Sequence, residues 1–513
     1  MKLYDNTWGF SVEHSNPFQL FPLLQGLAKE HNKLEDIADL SRGDPGYGFA
    51  PSVRGRDFLS FLLFLDTKLN NPHRLFAEHA KGANPKIQEN QILEEIGVLT
   101  RSAYVPAVAT RYLNDLSDFV KACIQISEEE GVNMTPYDVL FELFKHSTVS
   151  GGCYHDPLGE ILVRRIVAWW HRKTIATPIT ADDIIFTSGA THAIGTVFKL
   201  LGQEGLQFLA HGDKVVITSP VYSPYFHTLK NRGLQAISIS MDPITGKIDP
   251  ASLEAMKNTQ GIKAIIVIDP NNPTGFSMDD ESMRLLADLA REQDAIIITD
   301  EVYSAFFEDR KSIVDLCPER TIRIQARSKI ERSTGLRFGD VLITKETNAY
   351  LTEKLKNSLP EGQDFKKAFV LAKGPGGIHG EFFHTTFVSG PDQYLGAAHI
   401  ILGDEERQRY REWIAKNMEV FCQTLGLPHQ GNLYYIIFDM NEVPGCRVQD
   451  LPPEQKISDL AKLGVIYLPA NLFFSEEDRL AQPRTQMLRA SLANATPEKV
   501  KRAAEITRYY LTH

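Results

Sequence analysis

Between about residues 182 and 344 the sequence alternates short β-branched, aliphatic runs with longer amphipathic ones, and this rhythm constrains the fold more than any other feature. Ile184-Ile185-Phe186-Thr187 and the runs at 214–218, 264–268 and 295–299 are apolar at successive positions, as in strands buried on both faces. Residues 191–201 and 278–293 instead repeat apolar positions at spacings of three and four, the pattern of helices. Strand and helix in alternation predict a largely parallel sheet covered on both faces, an α/β domain. Ligands of such sheets bind beyond the carboxyl ends of the strands, so the residues just after each strand are the ones to read for chemistry.

A chain of 513 residues exceeds one ordinary core, which predicts two domains with an insertion. The first 150 residues read as mostly helical, with Pro- and Gly-rich turns at 42–51 and 70–72 and a helical insertion over 52–148. After about Gly390 one long helical segment (392–424) leads to strand-like runs at 434–438 and 465–468 and a helix from about Pro497 to Leu511. The expected organisation is therefore 1–150, an N-terminal segment with the insertion; 151–390, a large domain; and 391–513, a smaller α+β domain completed by N-terminal residues. A net charge of -10 argues against a nucleic-acid partner. Five cysteines without C-x-x-C spacing fit reduced thiols rather than a zinc site or a disulfide frame. The opening Met1–Asn6 stretch lacks the apolar core of a signal peptide, and the longest apolar stretch, 58–65, is too short to span a bilayer. A cytoplasmic protein with no membrane partner is expected.

Four segments follow the strands. Thr187-Ser188-Gly189-Ala190-Thr191 runs into a helix start, where backbone N–H groups suit either a phosphate or ordinary capping. Ser219-Pro220-Val221-Tyr222-Ser223-Pro224-Tyr225 sets an aromatic residue after a strand, to stack on a flat ring or to fill the core. Asp269-Pro270-Asn271-Asn272-Pro273-Thr274-Gly275 has the composition of a plain turn, and equally holds an Asn rigidly at a strand end as a hydrogen-bond donor. Asp300-Glu301-Val302-Tyr303 offers a half-buried carboxylate, which is costly without a positive partner. A pyridinium nitrogen is such a partner; a helix cap is the plainer alternative.

A lysine completes the set. In Ser328-Lys329-Ile330-Glu331-Arg332-Ser333-Thr334-Gly335-Leu336-Arg337-Phe338-Gly339 an arginine follows Lys329 by eight residues, with glycines on either side of it. A lysine amine forms a Schiff base with an aldehyde, and a guanidinium grips a phosphate in two prongs. Pyridoxal phosphate carries both groups. A surface lysine beside a basic loop is the alternative.

In this order the segments resemble the aspartate-aminotransferase superfamily of pyridoxal-phosphate enzymes (fold type I, class I/II), from about Leu40 to Asn494. The resemblance implies a large domain with a mixed, mostly parallel seven-stranded-type sheet flanked by helices, plus a smaller α+β domain. It makes Lys329 the Schiff-base lysine. It implies that Arg337 and the backbone of Gly189, Ala190 and Thr191 hold the cofactor phosphate, and that Ser328 also binds the cofactor. Asn272 and Tyr303 would bond the ring hydroxyl, Asp300 would pair with the ring nitrogen, and Tyr222 would stack on the ring. Tyr154 is similar to the tyrosine that reaches the phosphate in a neighbouring subunit, which implies a homodimer at least. Arg489 matches the clamp on the substrate α-carboxylate, and Gly43 the loop that closes over the substrate.

Within that superfamily the chain is similar to the long aspartate 4-decarboxylases. The shared features are its length, the helical insertion, Asp315-Leu316-Cys317-Pro318 and His384-Thr385-Thr386. Arg42 stands where that branch has an arginine that meets a substrate carboxylate. Around the lysine the chain departs from the pattern. Ala326 replaces a phosphate-binding serine, and Arg327, Glu331 and Arg332 bring charge into a stretch that is normally aromatic and apolar. The leading expectation is transamination of a small polar or dicarboxylic α-amino acid. Aspartate 4-decarboxylation, β- or γ-elimination or replacement, and a non-catalytic binding protein on the same fold are the alternatives. The Gly-rich segment 373–381 reads as a lid carrying His379 and Glu381 or as a surface loop; no metal site is expected.

Overall fold

A computed structural model describes residues 11, 17–46, 49, 53–69, 85–146, 156, 158–202, 206–308, 310–359, 361–371, 388–429, 431–481 and 484–513. The chain falls into two compact units. One comprises Met1–Ala50, Leu209–Leu316 and Gln408–His513, the other Pro51–Phe208 and Cys317–Arg407.

The described chain begins with a helix, Pro17–His31, and a short strand β1 (Ala38–Asp39). The strands of the main sheet are β2 (Ile184–Thr187), β3 (Lys214–Ser219), β4 (Gln235–Ser240), β5 (Ile262–Ile268), β6 (Ile296–Asp300), β7 (Thr321–Ala326) and β8 (Gly339–Ile343). It is the seven-stranded, mostly parallel mixed sheet flanked by helices that the sequence implies. Four further strands follow: β9 (Tyr435–Asp439), β10 (Val465–Ile466), β11 (Leu468–Pro469) and β12 (Met487–Ser491).

In the first unit β6-β5-β3-β4 run parallel, with Ile268 opposite Asp300 and Ser219 opposite Ser240. Their carboxyl ends thus bring the segments after β3, β5 and β6 to one edge. The helix Asp280–Glu292, capped by Asp279 on the Ser282 N–H, follows β5. A second sheet, β11-β12-β9, is antiparallel, and β1 pairs with β10. Leu24, Phe421, Phe438, Ile466, Leu488 and Val500 are among the buried residues of the core beneath it. Each such side chain contributes about 2–3 kcal/mol relative to exposure.

In the second unit β8 lies between β2 and β7 and is antiparallel to both. Four helices, Val53–Lys68, Pro85–Ala103, Pro106–Glu129 and Pro136–His146, belong to this unit. Aromatic pairs such as Phe58–Phe119 (5.1 Å between ring centroids) and Phe61–Tyr112 (4.8 Å) fasten two of them.

Two expected elements divide. The helix expected over 392–424 is two, Gly390–Leu402 and Asp404–Leu425, broken at Gly403. Arg407 turns back there onto the His399 and Ile400 carbonyls, and a Cβ at Gly403 would lie 2.4 Å from the His399 oxygen. The strand expected over 465–468 serves two sheets: β10 pairs with β1 and β11 with β12. Tyr467 marks the switch, its hydroxyl bonded to that of Thr507 at 2.9 Å. Strands β4, β7, β8 and β12 lie outside the runs read as strands; in β7 and β12 the residues Arg323, Gln325 and Arg489 interrupt the apolar pattern. Among the described residues no helix is long and apolar enough to cross a membrane.

Candidate active site

The first unit holds seven of the residues singled out by sequence: Arg42, Gly43, Tyr222, Asn272, Asp300, Tyr303 and Arg489. At the end of β5, Asn271 closes a tight turn. Its side-chain oxygen accepts from the Thr274 N–H (3.2 Å) and hydroxyl (3.1 Å), and its amide donates to the Pro220 carbonyl (3.1 Å). Gly275 completes the turn at φ +76°, and a Cβ there would lie 2.1 Å from the Tyr435 carbonyl oxygen, so only glycine fits. The turn leaves Asn272 buried, its Oδ1 accepting from Arg489 Nη1 at 3.3 Å.

Asp300, the last residue of β6, is buried. Its Oδ2 accepts from the Tyr225 hydroxyl at 3.0 Å and its Oδ1 from the Val302 N–H at 3.3 Å. Burial, reinforced by the Asp300 carboxylate, pushes the Tyr225 phenol well above its ordinary range and keeps it a donor. Tyr222 is half-buried, 6.5 Å from Tyr225 and nearly perpendicular to it. The Tyr303 and Tyr435 hydroxyls share a hydrogen bond at 2.8 Å. Those of Tyr434 and Tyr435 donate to the Gly43 carbonyl at 3.2 and 3.3 Å, which fixes the Gly43 loop against β9.

Arg489 on β12 is the centre of this group. It is fully buried; its Nη2 donates to the Ser41 carbonyl and its Nη1 to Asn272. Its guanidinium carbon lies over the rings of Tyr435 (4.7 Å) and Phe473 (4.9 Å). Among the described residues it pairs with no carboxylate, and its Nε has no acceptor. Burial lowers its pKa, against the pull of the surrounding tyrosines. A buried cation held by carbonyls and rings is a ready receptor for an anion. Arg42, by contrast, is exposed and bonded to Asp44 at 2.7 Å.

The same unit holds a paired arginine that sequence reading missed. Arg310 bridges Glu301 (2.7 Å) and Asp269, so it ties the residue next to Asp300 to the start of the Asn272 turn. Although burial opposes its charge, the two carboxylates raise its pKa. Nothing in the local sequence marks it. Tyr225 and Tyr435 were also missed, although each lies within a segment already noted for its neighbour.

In the second unit Gly189 stands at φ +84° before the helix Ala190–Leu201. A Cβ there would lie 2.6 Å from Arg337 Nη2. The exposed Arg337 donates to the Ser188 carbonyl (3.2 Å) and the Thr334 carbonyl (2.8 Å), and among the described residues it meets no carboxylate. A helix start with a carbonyl-held guanidinium is a cradle for a phosphate. Ala190 and Thr191 form its first turn, and Thr191 is exposed. Ser328 and Lys329, both partly buried, lie in the turn after β7. Tyr154 and segment 373–381 lie outside the described residues. Among the described residues no cluster of His, Cys, Asp and Glu could hold a metal ion.

Residues 151–506 match the sequence pattern of the family described as Aminotransferase class I and II. The chain is 27% identical over 343 residues to a Pseudomonas bifunctional aspartate aminotransferase and L-aspartate beta-decarboxylase; the match covers 60% of this chain and 63% of that protein. It is 25% identical over 411 residues to human kynurenine–oxoglutarate transaminase 1, covering 71% and 88% of the two chains. A match to an aspartate aminotransferase of Pyrococcus horikoshii spans 54% of that protein. Among solved structures, Escherichia coli YbdL, described with a methionine aminotransferase function, superposes with a TM-score of 0.60 at 15% identity, covering 99% of this chain and all of YbdL. At that identity the likeness concerns the fold.

Proposed function

The chain belongs to the aminotransferase class I and II family, and on that premise we propose that it is a pyridoxal-phosphate-dependent enzyme that transfers the amino group of a small polar or dicarboxylic α-amino acid. The observation that carries the reading is Arg489, a buried guanidinium with carbonyl, amide and ring neighbours but no carboxylate among the described residues. An α-carboxylate supplies the missing partner in two-pronged form.

When bound, pyridoxal phosphate supplies an aldehyde that exchanges amines and a ring that accepts electrons. Each unit holds residues whose chemistry suits a part of that group. Arg337 and the Gly189–Thr191 backbone would hold the phosphate, a role supported by the carbonyl-held guanidinium and the side-chain-free Gly189, and Ser328 would also bind the cofactor. Asp300, buried and oriented by Tyr225, would keep the ring nitrogen protonated. Asn272 and Tyr303 would bond the ring hydroxyl, and Tyr222 would cover the ring face. Lys329 is the Schiff-base lysine of this reading, and its amine moves the proton at the substrate Cα. Tyr154 of a second copy would complete the phosphate site, so the active form is at least a dimer. Gly43, fixed by two tyrosine hydroxyls, would close over the substrate.

A second reading, aspartate 4-decarboxylation, is favoured by the relative that carries both activities. Arg42, exposed with Asp44 as its partner, would exchange that partner for the distal carboxylate of the substrate. A mass-spectrometric screen of the twenty amino acids, with and without an α-keto acid, tests both. Amino transfer that depends on the keto acid supports the first, and alanine formed from aspartate alone supports the second. A protein that binds pyridoxal phosphate yet turns over no amino acid would overturn both.

A further inference from the structure

The residues on either side of Lys329 break the family's apolar pattern, and the structure gives those charges an occupation. Arg327 and Glu331 lie two residues before and two after the lysine, and both are buried. The Glu331 N–H donates to the Arg327 carbonyl at 3.3 Å, so the two residues are the ends of one closed turn with Lys329 at its middle.

Each end is tethered separately. Arg327 Nη2 donates to Asp340 Oδ1 on β8 at 2.8 Å, and its guanidinium lies 3.9 Å over the ring of Trp170. Asp340 is itself held by His171 Nε2 at 2.7 Å, and Arg323 donates to the other ring nitrogen of His171 at 2.7 Å. At the opposite end, Glu331 accepts from Arg407 Nη1 at 2.8 Å. Arg407 is anchored in turn on the carbonyls of His399 and Ile400, at the Gly403 helix break. The side chains of Arg327, Glu331, Asp340 and Arg407 are all no more than 3% exposed, so neither pair is loosened by solvent.

We propose that Arg327 and Glu331 are positioning residues that fix where the Lys329 amine points, by clamping both ends of its turn through buried ion pairs. Neither touches the reacting atoms in this account. A lysine carries four rotatable side-chain bonds, so its reach is governed by how firmly its backbone is held. The inference rests on the reading of Lys329 as the cofactor lysine.

The test separates lysine placement from pocket integrity with two probes. Pyridoxal phosphate must bond the lysine, whereas pyridoxamine phosphate fills the same pocket without bonding it. In Arg327→Met and in Glu331→Gln, capture of pyridoxal phosphate, trapped with borohydride and mapped by peptide mass spectrometry, should slow about tenfold or more. The Kd of pyridoxamine phosphate should stay within about twofold of the parent, and Arg327→Lys should recover part of the capture rate. Equal loss for both probes, or unchanged capture in Glu331→Gln, would overturn the proposal even if Arg327→Met failed to fold. Trapping of the cofactor on a lysine other than Lys329 in the parent protein would instead overturn the underlying reading.

Discussion

Two buried arginines of one compact unit are treated in opposite ways. Arg310 is neutralised by the carboxylates of Asp269 and Glu301, whereas Arg489 has one carbonyl, one amide and two aromatic faces but no carboxylate among the described residues. The first arrangement is complete in itself. The second keeps a charge that the fold alone does not neutralise, the usual mark of a group kept for a ligand. Structure and function should therefore separate cleanly between these two residues.

The largest effect is expected at the paired one. Arg310→Met leaves two buried carboxylates without their cation and should cost about 3–5 kcal/mol of stability, read from urea unfolding. Arg489→Met removes a charge without orphaning another, so stability should hold or rise. The kcat/KM for amino acids should fall by roughly 10²–10³, or about 3–4 kcal/mol. If Arg489→Met unfolded the protein and Arg310→Met did not, the contrast would be broken.

A third test concerns the charge network behind β7. Burial lowers the His171 pKa to about 4, so the neutral ring donates to Asp340 and accepts from Arg323. Because the unfolded histidine takes up its proton near pH 6.5, stability should fall as pH drops through 6.5 towards 4, by up to about 3 kcal/mol. His171→Gln should flatten that slope; an unchanged slope would show that another group titrates. Smaller again is Tyr225→Phe, which removes one donor from Asp300. It should weaken pyridoxal-phosphate binding by about 1–2 kcal/mol in a fluorescence titration. The smallest effect on stability belongs to Arg42→Ala, below about 1 kcal/mol, since its partnership with Asp44 faces solvent. A selective rise in KM for aspartate over alanine would nonetheless tie Arg42 to a distal carboxylate.

Much of this was legible in the sequence, and the reason varies by residue. Strands β2, β3, β5 and β6 announce themselves because burial on both faces demands unbroken apolar runs. Strand β7 hides because two buried polar residues, Arg323 and Gln325, interrupt it, and the His171 partner of Arg323 is supplied only by the folded chain. Asn272, Asp300 and Arg489 were picked out by motif, but the lack of a carboxylate beside Arg489 is a property of packing. The charges flanking Lys329 read as departures from a pattern. Their partners, Asp340 and Arg407, lie 13 and 76 residues away along the chain, where no local signal links them.

The glycine at the end of the Asn272 turn has a wider consequence. Gly275 receives the backbone of the segment that enters β9 with no room to spare; its carbonyl accepts the Leu433 N–H at 2.9 Å, and any Cβ would strike the Tyr435 carbonyl. Two stretches far apart in the gene are thereby keyed to each other like a lock and its ward. A chimera that exchanges the C-terminal third for a relative's can succeed only if its donor was shaped against a glycine at this position. The recombination boundary best suited to swapping specificity is thus set by this seat, not by the apparent edges of the domains.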